Sequence, residues 1–155
     1  MFNRLLPRRI DNTYRGRKLA LWLFSLIVAV KFIQSLMVTI AGDAVVRSAD
    51  GIPLDTFTPA GAQTVLGLWA QMGLYRLIIY LLCVLVLVRY RRAIPFMFAL
   101  LVFQYLVGQL IFQFVPIVRV GAPLGPVINL VLFVLMIVGL ALSLWSRNNS
   151  PIKEQ

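Results

Sequence analysis

Apolar residues fill four long runs of this chain, at 19–41, 65–88, 93–118 and 126–145, and polar residues collect between them. Each run holds about twenty residues or more. At about 1.5 Å of rise per residue, each crosses a hydrocarbon core of about 30 Å. A helix that stays apolar on every face over this length has lipid or protein around it, not water. The pattern predicts an all-α integral membrane protein, with four transmembrane helices in a bundle and a single membrane domain over 1–155. Its parts are a basic N-terminal segment 1–18, spans at 19–41, 59–88, 93–118 and 126–146, a loop at 42–58 and a tail at 147–155.

The connections carry their own signals. "SADGIPLDTFTPAGAQT", Ser48 to Thr64, is the only long polar stretch between two runs. Asp50-Gly51 is a turn pair, and Pro53 holds Ile52 extended. Thr58-Pro59 has the chemistry of a helix start, with threonine as cap and proline where its missing N–H costs nothing. The second span therefore begins near Pro59 and runs about 45 Å, long enough to tilt or protrude. The stretch reads as a structured cap. "VRVGAPLGP" reads as a tight turn, and "RYRRAIP" is shorter still, so spans two and three are expected as a close antiparallel hairpin. Asp11, Asn12 and Thr13 are N-cap types ahead of span one. The segments after Arg17-Lys18 and Arg91-Arg92 loosely echo one another, Trp22-x-Phe24 matching Phe96-x-Phe98.

Charge orients these spans. The chain has 15 Lys and Arg against 5 Asp and Glu. Arg4, Arg8, Arg9, Arg15, Arg17, Lys18, Arg89, Arg91, Arg92, Arg147 and Lys153 fall on one side, whereas Arg47 and Arg119 fall on the other. The bias predicts both termini and "RYRR" on the cytoplasmic side of the cell's cytoplasmic membrane, as a multi-pass protein. Trp22, Tyr90, Phe96 and Trp145 fall at the same interface, with Phe57 and Trp69 marking the opposite one. The first run is too long for a signal-peptide core and reads as an uncleaved span. Basic charge so placed serves topology and the lipid bilayer, including anionic lipid near Arg4, Arg8 and Arg9. No basic platform interleaved with aromatics points to nucleic acid.

Several chemistries are set aside. The chain has no histidine, and Asp11, Asp43, Asp50, Asp55 and Glu154 all lie outside the runs. No carboxylate within the membrane relays protons or holds a hard cation. Cys83 is alone, so neither a disulfide framework nor a cysteine metal site is expected. No cofactor or metal motif appears, and the chain reads as a non-enzyme.

Two cations inside the runs stand out. Lys31 lies thirteen residues from Lys18, and Arg76 thirteen from Arg89, so both sit at similar depth, about 20 Å along their helices. Gln104 is about level with them on span three. Gln34, Ser35 and Thr39 continue a polar stripe from Lys31. One reading has the cations snorkelling to the outer interface and the glutamines joining helices. The other is a positive pocket of Lys31, Gln34, Arg76 and Gln104 that takes an anion: a lipid phosphate, a carboxylate, or Asp50 or Asp55 folded back. The leading functional expectation is a non-enzymatic accessory or interaction component binding a lipid or amphiphile, alone, as a homo-oligomer or beside a membrane partner. Its rivals are a small transporter or oligomeric pore for an anionic or uncharged solute and, third, a membrane enzyme.

Overall fold

The computed structural model describes residues 12, 14 and 16–145. Its helices are α1 (Lys18–Ile40), α2 (Gly42–Ser48), α3 (Pro59–Arg89), α4 (Ile94–Phe114) and α5 (Leu124–Leu144), with 3-10 turns at Leu54–Thr56 and Arg91–Ala93. No strand occurs among the described residues. Helices α1, α3, α4 with its preceding 3-10 turn, and α5 are long and apolar enough to cross a membrane, which makes this a multi-pass membrane protein by length and composition.

Local chemistry explains the helix ends. Thr58 caps α3, its Oγ1 accepting from the Gly61 N–H at 3.2 Å, and Pro59 occupies the first turn as its residue type demands. The apolar run of α4 continues to Val118, but the helix stops at Phe114. Pro116 has no N–H to offer and drives Val115 out of the helical region. Helix α1 starts at Lys18 behind an extended Arg17 with no side-chain cap bond. Asn12 lies too far upstream to cap it, and Asp11 and Thr13 lie outside the described residues.

Helix α1 is the hub. It packs along α3 on one side and α5 on the other, and α4 packs on α5. The main packing thus runs α3–α1–α5–α4, and the close hairpin expected of spans two and three does not form. Helices α3 and α4 share few close approaches despite their short connection. The reason lies in which surfaces fit. The Phe98 ring of α4 lies over Gly139 of α5, where a Cβ would stand 2.4 Å from the ring. The same ring meets Phe24 of α1 edge to face at 5.0 Å between centroids. Gly73 of α3 does the same for α1, sitting against Val38 and Thr39 so that the two backbones approach closely.

Two apolar cores result. The larger joins Phe24, Ile27, Tyr80, Cys83, Phe98 and Met136 with their neighbours, in the half of the molecule nearer the start of α1 and the end of α5. At that end the Arg17 guanidinium lies over the Trp145 ring at 4.7 Å, bringing the start of α1 to the end of α5. The smaller core lies at the other end, where Val46, Ile52 and Leu54 pack with Val65, Leu66, Trp69 and Ile117.

The smaller core belongs to a folded cap made by residues 41–58. Helix α2 carries Arg47, which bonds Asp43 at 2.9 Å and Asp55 at 2.6 Å. Gly51 adopts φ +69°, a left-handed turn that favours glycine, and its carbonyl accepts from the Val120 N–H at 2.8 Å. The Ala49 carbonyl accepts from the Gly125 N–H at 3.0 Å. Asp50 accepts from the Trp69 indole N–H at 2.9 Å. The connector is stitched to α3 and to the α4–α5 turn.

Candidate functional site between two apolar cores

Helix α1 presents half-buried Lys31 on the same face as the buried Phe24, Ser35 and Val38. Residues four and seven apart share a helix face, so Lys31 belongs to the interior stripe of α1. Its ammonium donates to the Asn129 side-chain carbonyl on α5. Arg76 of α3 stands within coulombic range of that ammonium and one turn from buried Tyr80. Along the helices this polar level falls between the two apolar cores, after Phe24–Val28 on α1, before Tyr80 on α3 and before Leu132 on α5.

Of the four residues singled out from sequence, Lys31 and Arg76 therefore come together. Gln34 and Gln104 are half-buried and have no hydrogen-bond partner among the described residues. Gln71 donates to the Tyr75 hydroxyl of its own helix at 2.8 Å, not to a neighbouring helix. The loop aspartates do not fold back onto the cations: Asp50 is held by Trp69, and Asp43 and Asp55 by Arg47. Asn129 was missed. The signal for it was available, since it is the lone amide in the run 126–145.

The electrostatics are one-sided. Lysine and arginine offer donors only, three and five N–H groups respectively, against a single amide acceptor. Arg76 has no hydrogen-bond or ion-pair partner among the described residues. Two cations inside an apolar run cost about 2.5–3.5 kcal/mol each on insertion scales, and at short range they repel. Such a pair is suited to neutralising an anion. No group of three His, Cys, Asp or Glu side chains that would hold a metal occurs among the described residues.

Above this level lies a cleft of about 430 Å³, lined mainly by apolar side chains of the cap, of α3 and of the turn after α4, among them Ile52, Phe57, Val65, Trp69 and Ile117. Its volume falls within the roughly 300–1,000 Å³ of small-molecule clefts. No family model, no curated protein and no solved structure matches this chain.

Proposed function

We propose that this protein is a non-enzymatic component of the cytoplasmic membrane, a four-helix bundle with both termini in the cytoplasm, that binds an acidic lipid or amphiphile. The anion meets Lys31 and Arg76, with Asn129 holding the lysine in place; Gln34 and Gln104, left without partners among the described residues, are further donors at a similar depth along their helices. The observation that carries this reading is two interior cations gathered around one neutral amide, with each described carboxylate engaged elsewhere. Orientation follows from the eleven cations on one side of the four spans against two on the other.

The test is a double-mutant cycle on the full chain with Lys31→Met, Arg76→Met and both together. A shared anion couples the two residues, so their effects on thermal unfolding should depart from additivity by about 0.5–3 kcal/mol. Native mass spectrometry should show a co-purifying acidic ligand lost from each single variant. Additive effects with unchanged bound ligand would leave two independently solvated cations and end this reading.

A further inference from the structure

We propose that the cleft beneath the cap and the Lys31–Arg76 pair are two ends of one site for a single-chain amphiphile with an ionised carboxyl group. The chain occupies the cleft and the carboxylate points inward to the cations. This rests on the reading of Lys31 and Arg76 as an anion site, and it adds the ligand's class, its direction and its way in.

Helical register joins the two ends. Val65 and Trp69 of α3 line the cleft. Arg76 follows Trp69 by seven residues, which at 3.6 per turn returns within about 20° of the same face, about 10 Å deeper. Gly73 closes the α1 side of that face against Val38 and Thr39. The other flank is less obstructed, because α4 shares few close approaches with α3. Helical register thus sets Arg76 below the cleft on the same face of α3, the direction in which a bound chain would run.

Charge sets the direction. The cap carries three carboxylates, Asp43, Asp50 and Asp55, and Asp50 accepts from the indole N–H of Trp69, which lines the cleft. Arg47 balances one of the other two, and Arg119 lies over the Phe112 ring. A carboxylate at the mouth meets like charge at Asp50, whereas one about 10 Å deeper meets two cations and no acid. Apolar walls, Phe57 and Trp69 among them, suit hydrocarbon. One chain fits a cleft of this volume beside the cap, whereas the paired chains and outward headgroup of a phospholipid run against both its size and its polarity.

The experiment uses the full chain in nanodiscs of zwitterionic lipid, with Trp22→Phe and Trp145→Phe so that Trp69 alone fluoresces. The probe is ω-bromodecanoate at pH 8, whose bromine quenches on close approach. Saturable quenching of Trp69 is expected, with half-saturation at least tenfold weaker for ω-bromodecanol and for the Lys31→Met and Arg76→Met variants. Decanoate brominated beside its carboxyl should compete without quenching. The alcohol comparison needs no further substitution and stands even where a variant fails to fold. Equal binding of acid and alcohol, with no effect of either substitution, would remove the anion site and the proposal together. If Val65→Phe left acid binding by native mass spectrometry unchanged and Trp69 were never quenched, the anion site would survive and the cleft would not be part of it. Quenching by brominated phospholipid that decanoate fails to displace would assign the cleft to a bilayer chain and overturn the proposal.

Discussion

Tyr14 shows how strongly a single residue reports its surroundings. Its ring packs against the larger core, and its hydroxyl is buried without a hydrogen-bond partner among the described residues. Burial disfavours the phenolate and pushes the phenol from 10.0 up to about 12. The raised value means that the packed state favours the protonated ring. Its contribution is fully present below pH 10.0 and is lost as pH rises through about 12. The phenolate absorbance of wild type minus Tyr14→Phe should therefore rise near pH 12 in the folded protein and near 10 in denaturant. A folded midpoint near 10 would put the hydroxyl in water. Tyr14→Phe itself should leave stability unchanged or raised, since it removes an orphaned polar group. At this scale Lys31 and Arg76 were legible because a cation is conspicuous in an apolar run. Asn129, conspicuous as the lone amide of its run, was still overlooked, because its role appears only with the lysine it meets across 98 positions.

Whole helices were legible from length, apolarity and the Thr58-Pro59 start. Their partners were not. When every face of a helix is apolar, the pattern does not say which face meets which neighbour. Pairing is decided by fits such as Phe98 over Gly139 and Gly73 against Val38, where one missing side chain admits another helix. The same indifference explains why the short "RYRRAIP" connection misled. A short turn fixes where α4 begins but not the course it follows, and Phe98 leads it to α5. Gly139→Ala should thus be costly, because the new methyl overlaps the fully buried Phe98 ring. Overpacking of this kind costs about 1–3 kcal/mol. Thermal unfolding in detergent should show the loss, with Phe98→Leu in the same chain restoring part of it. An unchanged midpoint for Gly139→Ala would mean that α4 and α5 shift apart freely.

For the molecule as a whole, charge predicts orientation and the fold predicts which loops share a side. The cap joins the α1–α3 connection to the α4–α5 turn through Gly51 and Val120, while Arg17 and Trp145 join the opposite ends. Single cysteines at Ser48 and Ser150 in a Cys83→Ser background should label from opposite faces of the membrane, Ser150 from the cytoplasm. Labelling of both from one face would break the four-span topology. The four apolar spans were readable from sequence, but the cap's attachment was not. Its bonds are made by backbone groups, which every residue type carries alike.

Those backbone bonds also impose an order in time. Gly51 and Ala49 find their partners at Val120 and Gly125, which leave the ribosome 69 and 76 residues later. At about 5–20 residues per second, roughly 3–15 seconds separate the making of the connector from the making of what secures it. Over that interval the second and third long helices are made while the carbonyls of 49 and 51 still lack these partners. The cap can close only once the turn that introduces the last long helix has been made, so its closure is a late event that marks a chain nearly complete.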